Sequence, residues 1–533
     1  MKKLPIGIQT FREIIEDGYL YADKTRYIYD LASEGKFFFL SRPRRFGKSL
    51  LVDTMKEAFL GNRALFDGLY LGESDFAFTP HPVIRLDLSM VENRDQESLR
   101  QGLVANLATI AADAGLTVDA IDPAEYLRQL ILGLAKASGR RVVVLIDEYD
   151  KPMIDHLHEP SIAEGNRVEL RYLYGILKGM DAHLRFVFLT GVSKFTRTSI
   201  FSQLNNVTDI SLDPLFANIC GFVNDEFDDL FGERLAELRL PGVPDDYAAR
   251  RRAVFDWYDG YSWDGETHVF NPFSLLSFFR RQRLYPFWYT TGAPQFLMMR
   301  LKKEPSGYAE VQGTQITEVL LDSHDIELAS LVSLLFQTGF LTVKSMDEEA
   351  LPATYTLGFP NEEVSTSFSR QFLDTITAED TPAANSWYAK MRTALDDGRP
   401  EYLQEALSGL FASIPHQIHL PAEAFYHAIF LAVMQFLGLR VIGEGSVAGG
   451  RIDGVIDRRS GRSYVLELKY EKAAEGVDVK ALLDQAVQDA LAQIEDRRYA
   501  ETYRGTDREV YKVGIAVAGR GQVCVRALHA ERR

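Results

Sequence analysis

Cysteine is nearly missing: the 533 residues contain two, Cys220 and Cys524, far apart in the chain. That pair excludes a disulfide framework, supplies no zinc-ligand spacing, and points to a reducing, cytoplasmic setting. No apolar run reaches the roughly 20 residues that cross a bilayer, so no membrane partner is expected. Met1-Lys2-Lys3-Leu4-Pro5 meets charge at Arg12 and Glu13 before an apolar core develops, so no secretory signal is expected. Internal repeats, low-complexity tracts and sustained heptads are absent, which excludes a repeat architecture or a long coiled coil. Positive charge is also short: 59 Lys and Arg against 75 Asp and Glu leave a formal net charge of -16. Such a surface binds nucleic acid poorly by phosphate neutralisation alone.

What is present describes a soluble chain with ample core, 46% hydrophobic and 25% charged. Its length predicts two to four domains. The charge deficit is not uniform. From Arg440 to Arg533 the sequence holds 17 Lys or Arg against 15 Asp or Glu.

Those last hundred residues carry the most pointed pattern. Gly450-Arg451-Ile452-Asp453-Gly454-Val455-Ile456 and Tyr464-Val465-Leu466-Glu467-Leu468-Lys469-Tyr470 read as two strands joined by a turn at Arg458-Arg459-Ser460-Gly461. A hairpin centred near Ser460 sets Asp453 opposite Glu467 and puts Lys469, two residues on, on the same face. Two carboxylates and an ammonium at one spot suit a hydrated Mg2+, with Mn2+ as an alternative, able to activate water against a phosphodiester.

The second pattern is N-terminal. Phe37-Phe38-Phe39-Leu40 runs into Ser41-Arg42-Pro43-Arg44-Arg45-Phe46-Gly47-Lys48-Ser49, then a helical stretch. Strand, loop, GKS and helix predict a phosphate-binding P-loop in which Arg44, Arg45, Phe46 and Gly47 cradle ATP, Lys48 reaches its phosphates and Ser49 ligates Mg2+. Arg42 stands where that motif has its first Gly, a departure that matters only if the position needs positive φ. Val142-Val143-Val144-Leu145-Ile146-Asp147-Glu148 reads as a buried parallel strand ending in two acids, Asp147 for the Mg2+ shell and Glu148 to polarise the attacking water. A further strand, Phe186 to Leu189, ends in Thr190 and Ser193, placed to read the γ phosphate. Lys194 and Arg197 on the next loop are phosphate-sensing candidates.

Asp453 with Glu467-Leu468-Lys469 resembles the D...ExK signature of the PD-(D/E)xK nuclease superfamily. In that superfamily the acids hold the metal and Lys positions water or stabilises developing charge. Glu423, at the start of a preceding helix, matches an acidic position that adds a candidate metal ligand, and Gln493 with Tyr499 resembles a Q...Y element. The whole chain is similar to proteins that fuse an AAA-ATPase-like domain to such a nuclease domain. Leu4-Pro5-Ile6-Gly7, Tyr21-Ala22-Asp23-Lys24-Thr25, the P-loop variant, Leu189-Thr190-Gly191-Val192-Ser193, Trp257-Tyr258-Asp259-Gly260-Tyr261, Phe270-Asn271-Pro272-Phe273 and Trp288-Tyr289-Thr290-Thr291-Gly292 carry the likeness.

The expected architecture is α/β: an AAA-ATPase-like P-loop core with a parallel sheet over 1–215, a helical lid over 216–320 and a winged-helix-like unit over 321–375. A helical linker over 376–415 leads to a restriction-endonuclease-like α/β domain over 416–533. Aromatic clusters at Trp257-Tyr258 and Phe287-Trp288-Tyr289 read as lid core, because they alternate with apolar residues rather than with Lys or Arg. The expected activity is an ATPase coupled to Mg2+-dependent cleavage of nucleic acid, DNA before RNA, with a second copy of the chain as a further candidate partner. A nucleotide switch that binds without cutting is the alternative; the intact Asp453, Glu467 and Lys469 favour cleavage.

Overall fold

A computed structural model describes residues 1–533 apart from 157–158, 195–203, 205, 289–294, 312, 318–320, 322–330, 348, 378–381, 415–422, 438, 441–452, 458–460, 473–476, 497–507, 519–520 and 530–533. Two compact units result: residues 1–239, 245–288 and 315–356 in one, and 240–244, 289–314 and 357–533 in the other.

The first unit is built on five parallel strands, β1 (Phe37–Ser41), β2 (Val83–Asp87), β3 (Val142–Asp147), β4 (Leu184–Gly191) and β5 (Thr208–Asp209), in the order β2-β3-β4-β1-β5. Every residue of β1 and β3 is buried, as strands covered on both faces must be, whereas β2 at the edge alternates. Helices 96–113, 123–138 and 160–179 bury Leu99, Leu103 and Leu107, Leu127, Leu130 and Ile131, and Leu170, Leu173 and Leu177 in one core with Ile84, Leu86, Val144 and Ile146. Spacings of three and four residues align these leucines on one helix face. Asp95 caps the first of these helices by accepting from the Ser98 amide, and Asp122, followed by Pro123, caps the second. The strands expected from sequence at Phe37, Val142 and Phe186 are present; β5 is two residues long and carries no apolar run to announce it.

The tract from 216 to 288 is mainly helical, with a small antiparallel pair, β6 (Phe222–Val223) and β7 (Val269–Phe270). Its interior is aromatic: Phe231 stacks on Phe279 at 4.8 Å and Phe227 on Phe270 at 5.3 Å. Tyr258 is fully buried and Trp288 nearly so, so both serve as core. Strands β8 (Gln315–Thr317), β9 (Thr342–Asp347) and β10 (Thr354–Gly358) form a sheet in the order β8-β10-β9, behind helix 331–338. Helices 295–303 and 362–376, assigned by sequence to the lid and the winged unit, fall in the second compact unit.

That second unit carries a mixed sheet of β11 (Leu439–Arg440), β12 (Asp453–Asp457), β13 (Arg462–Glu471), β14 (Glu509–Ala518) and β15 (Gln522–His529), in that order. Only β13 and β14 run parallel, and helix 479–496 lies between them in sequence as the crossover. It packs Leu483, Val487, Leu491 and Ile494 over Val465 and Ala516. Gly514 makes the close approach possible: a Cβ there would lie 2.8 Å from the Val487 carbonyl oxygen and 3.0 Å from Leu491 Cγ.

Gly514 also pairs with Glu467 in the β13–β14 register, so lifting the helix disturbs the strand position that matters for chemistry. Gly514→Val is expected to destabilise the protein by about 2–3 kcal/mol in urea unfolding, as overpacking against backbone does. An unchanged midpoint would show that the helix accommodates the side chain.

Candidate functional site

β1 ends at Ser41 beside Gly191 of β4, and the chain turns through 42–47 into helix 48–59. Gly47 (φ 93) and Arg45 (φ 72) take the left-handed conformations of this turn; Arg42 does not. The missing first glycine therefore carries no backbone penalty at position 42. No side chain caps the helix start, which leaves its first amides for an anion. Lys48 is buried, and its Nζ donates to the Arg42 and Pro43 carbonyls at 3.0 and 3.1 Å, within the loop it is expected to serve.

Aromatic side chains surround the loop. The Phe46 ring is buried edge-on to Tyr261 (4.8 Å) and Trp263 (5.4 Å), which leaves its backbone as the part of the residue open to the expected cradle. Trp288 Nε1 donates to the Arg44 carbonyl at 3.1 Å, and the Arg45 guanidinium lies 4.6 Å from the Phe273 ring. Trp-Tyr-Asp-Gly-Tyr, Asn-Pro-Phe and the Trp288 segment thus supply a support for the P-loop.

At the end of β3, Asp147 is fully buried and its Oδ1 accepts the Glu148 amide at 3.0 Å. Burial raises its pKa, while the nearby Ser49 hydroxyl and Lys48 ammonium pull it back. Its Oδ2 is buried without a hydrogen-bond partner, an acceptor that a Mg2+ shell would satisfy. Glu148 is held at φ 51, an unfavourable conformation for a non-glycine residue, with the Tyr149 amide fixed on the Thr190 carbonyl at 3.1 Å.

Asp150 was not singled out in the sequence. Fully buried, it accepts from the Val192 amide (3.1 Å), the Ser193 amide (2.6 Å) and Ser193 Oγ (2.7 Å), tying the acidic turn to the end of β4. Gly191 makes room: a Cβ there would lie 2.3 Å from Asp150 Oδ1. The Asp-Glu-Tyr-Asp run was the available signal, but only the sheet order shows what its last acid reaches. The Thr190 hydroxyl donates to the Leu40 carbonyl of β1 at 2.8 Å, and Ser193 Oγ is held by Asp150. Both hydroxyl donors expected at the γ phosphate therefore brace the strands. Lys194 is buried with its Nζ 3.1 Å from Asp209, a structural ion pair; Arg197 lies outside the described residues.

In the second unit the hairpin register is the one the sequence predicts: Asp453 pairs with Glu467 across β12 and β13. Glu467 is 1% exposed, and Lys469 Nζ stands 3.5 Å from its Oε1. Lys469 also donates to Gln493 Oε1 on the crossover helix, while Gln493 Nε2 remains buried without a partner. The sequence thus brought Gln493 to the right place; Tyr499 and Gly450–Ile452 lie outside the described residues. Tyr470, of the opposite strand parity, stacks on Tyr426 of helix 423–436 at 4.8 Å. The helix that begins at Glu423 therefore packs on the sheet face opposite Glu467 and Lys469.

Residues 5–201 match the family model of a predicted AAA-ATPase, and residues 421–526 match that of the PD-(D/E)XK nuclease superfamily. The chain belongs to the family that joins these two domains. It is 36% identical over 521 residues, 96% of each chain, to an uncharacterized protein in the vnfD 5' region of Azotobacter chroococcum mcd 1. No described helix is long and apolar enough to cross a membrane.

The Asp150 carboxyl offers a test of the acidic turn. Burial, then repulsion from Glu148, pushes its pKa up to about 6 from the ordinary 3.8, with the Ser193 and Val192 hydrogen bonds opposing. The folded protein keeps a proton there that the unfolded chain loses first, so this contribution to stability is full below pH about 4 and is lost as pH rises through 6. Asp150→Asn removes the titration. In urea unfolding, wild type should lose about 2 kcal/mol relative to the variant between pH 4 and pH 7; a difference independent of pH would place the proton elsewhere.

Proposed function

We propose that the chain binds and hydrolyses ATP and, through its C-terminal domain, cleaves phosphodiester bonds of nucleic acid with Mg2+, ATP turnover gating or driving the cut. The observation that carries this reading is the Asp453–Glu467 register with Lys469 on the same strand, two residues on. In the first unit Lys48 binds phosphate, Ser49 and Asp147 hold the Mg2+ that accompanies ATP, and Glu148 orients the attacking water. Arg44, Arg45, Phe46 and Gly47 contribute loop amides, and Thr190 fixes β4 against β1.

Asp453 and Glu467 form a hard, anionic oxygen donor set that fits Mg2+ or Mn2+; Glu423, expected as a further ligand, begins a helix packed on the opposite sheet face and is left out of the set. A divalent ion held there supplies a water of lowered pKa and polarises the scissile phosphate. Lys469, held between Glu467 and Gln493, carries the positive charge that stabilises the developing negative charge. DNA is the preferred substrate in this reading, and a second copy of the chain is a candidate partner.

Lys48→Ala should abolish ATP hydrolysis and weaken nucleotide binding, whereas Glu148→Gln should bind ATP normally and turn over about 100-fold more slowly or worse. Equilibrium binding with a phosphate-release assay separates the two, and wild-type turnover in both would remove this site from the reading.

Asp453→Ala and Glu467→Ala should each eliminate metal-dependent cleavage in protein that stays folded by circular dichroism. Lys469→Ala should keep metal affinity yet cleave about 100-fold more slowly. Calorimetric Mn2+ titration beside a cleavage assay on single- and double-stranded DNA and on RNA tests the roles; undiminished metal binding by Asp453→Ala would sink the nuclease assignment.

A further inference from the structure

Arg42 sits where the phosphate loop leaves β1, and none of its side chain reaches solvent. Nη1 donates to the Ser41 carbonyl at 2.9 Å and the Ser211 carbonyl at 2.7 Å, Nη2 to the Phe216 carbonyl at 3.1 Å, and Nε is buried without a partner. The Trp263 ring covers the guanidinium at 3.9 Å. Carbonyl dipoles and an aromatic face hold a cation in place, but they carry no net charge to cancel it.

A buried arginine ordinarily pairs with a carboxylate, because an uncompensated charge in the interior is costly. Among the described residues no carboxylate lies within ion-pair distance of Arg42. Two acids bear on it from beyond that distance: Asp209 is 3.1 Å from Lys194, and Asp264 accepts from Ser262 Oγ and from the Glu266 and Thr267 amides, neutral donors that hold its carboxylate away from a direct pair with the guanidinium. Burial lowers the Arg42 pKa to about 10, which leaves it charged at neutral pH. Lys48 Nζ, bonded to the carbonyl of Arg42 itself, is a second cation one loop away. Both cations bear on the loop whose amides would receive an anion, and an anion there would be attracted by each.

We propose that Arg42 is a positioning residue of the nucleotide site, a buried cation beneath the loop that strengthens binding in proportion to the phosphate charge without touching the nucleotide. This rests on the reading of the loop as a nucleotide site. Arg42→Gly would delete the charge and three hydrogen bonds together.

The test compares ATP, ADP and AMP affinities by competition against a fluorescent ATP analogue at low ionic strength, for wild type, Arg42→Met and Arg42→Lys. Arg42→Met should lose about 30-fold for ATP, less for ADP and only about 3-fold for AMP, whereas Arg42→Lys should keep the wild-type ATP-to-AMP ratio within about 3-fold. Equal losses for all three nucleotides in Arg42→Met would reduce Arg42 to a scaffold and overturn the proposal. Should that variant fail to fold by circular dichroism, Arg42→Lys decides alone: a retained ratio supports the charge, a collapsed one overturns it. A wild-type protein that binds none of the three nucleotides would instead remove the nucleotide reading itself, and the proposal with it.

Discussion

Three parallel strands, β1, β4 and β3, end at one edge of a sheet covered on both faces, and each delivers polar groups that must be satisfied there without water. Ser41, Arg42, Lys48, Asp147, Asp150, Thr190, Ser193 and Lys194 are all buried at or just beyond those strand ends. Most are satisfied by one another and the backbone: Thr190 braces β1, Asp150 binds the turn after β4, Lys48 holds its own loop, and Lys194 meets Asp209, while Asp147 Oδ2 and Arg42 Nε are left without a partner. In such a network the removal of one member strands its partners, which makes the edge rigid before any ligand arrives. The acidic turn after β3 is therefore aimed by the sheet. Glu148 keeps an unfavourable φ because its neighbours on both sides are hydrogen-bonded to fixed groups.

The second unit reaches a comparable result by a shorter route. A hairpin register and one strand periodicity place Asp453, Glu467 and Lys469, and a single crossover helix supplies Gln493. Here the controlling constraint is packing. Gly514 lets the helix lie close enough to β13 and β14 for Gln493 to meet the lysine, so a residue with no functional group sets the position of two that have them.

How much of this could be read in the sequence follows from range. The hairpin was legible because its register depends only on a local turn and a period of two, and Asp453 opposite Glu467 follows from counting. The P-loop and the acid-ended strand were legible because their chemistry is confined to a few consecutive residues. Asp150, Thr190, Ser193 and Lys194 were not, since their partners lie 42 residues away for Asp150 and Val192, and 150 for Thr190 and Leu40. A hydroxyl at the end of a strand looks alike in sequence whether it faces a phosphate or a neighbouring carbonyl. The aromatic motifs were legible as core but not as support for the loop, because the ring contacts of Phe46 with Tyr261 and Trp263 require the fold.

The formal charge of -16 illustrates the same limit from another side. It counts exposed and buried groups alike, yet exposed charges beyond a Debye length are screened whereas buried ones act through a weakly polarisable medium. The cations that bear on the two sites are withdrawn from solvent: Arg42 and Lys48 are buried, and the Lys469 side chain is 26% exposed. The acids that bear on them are the buried ones at the same sites, Asp147 beside Lys48 and Glu467 beside Lys469. At both sites cations and acids are buried together, so total charge describes how the surface meets solvent rather than how a site meets phosphate.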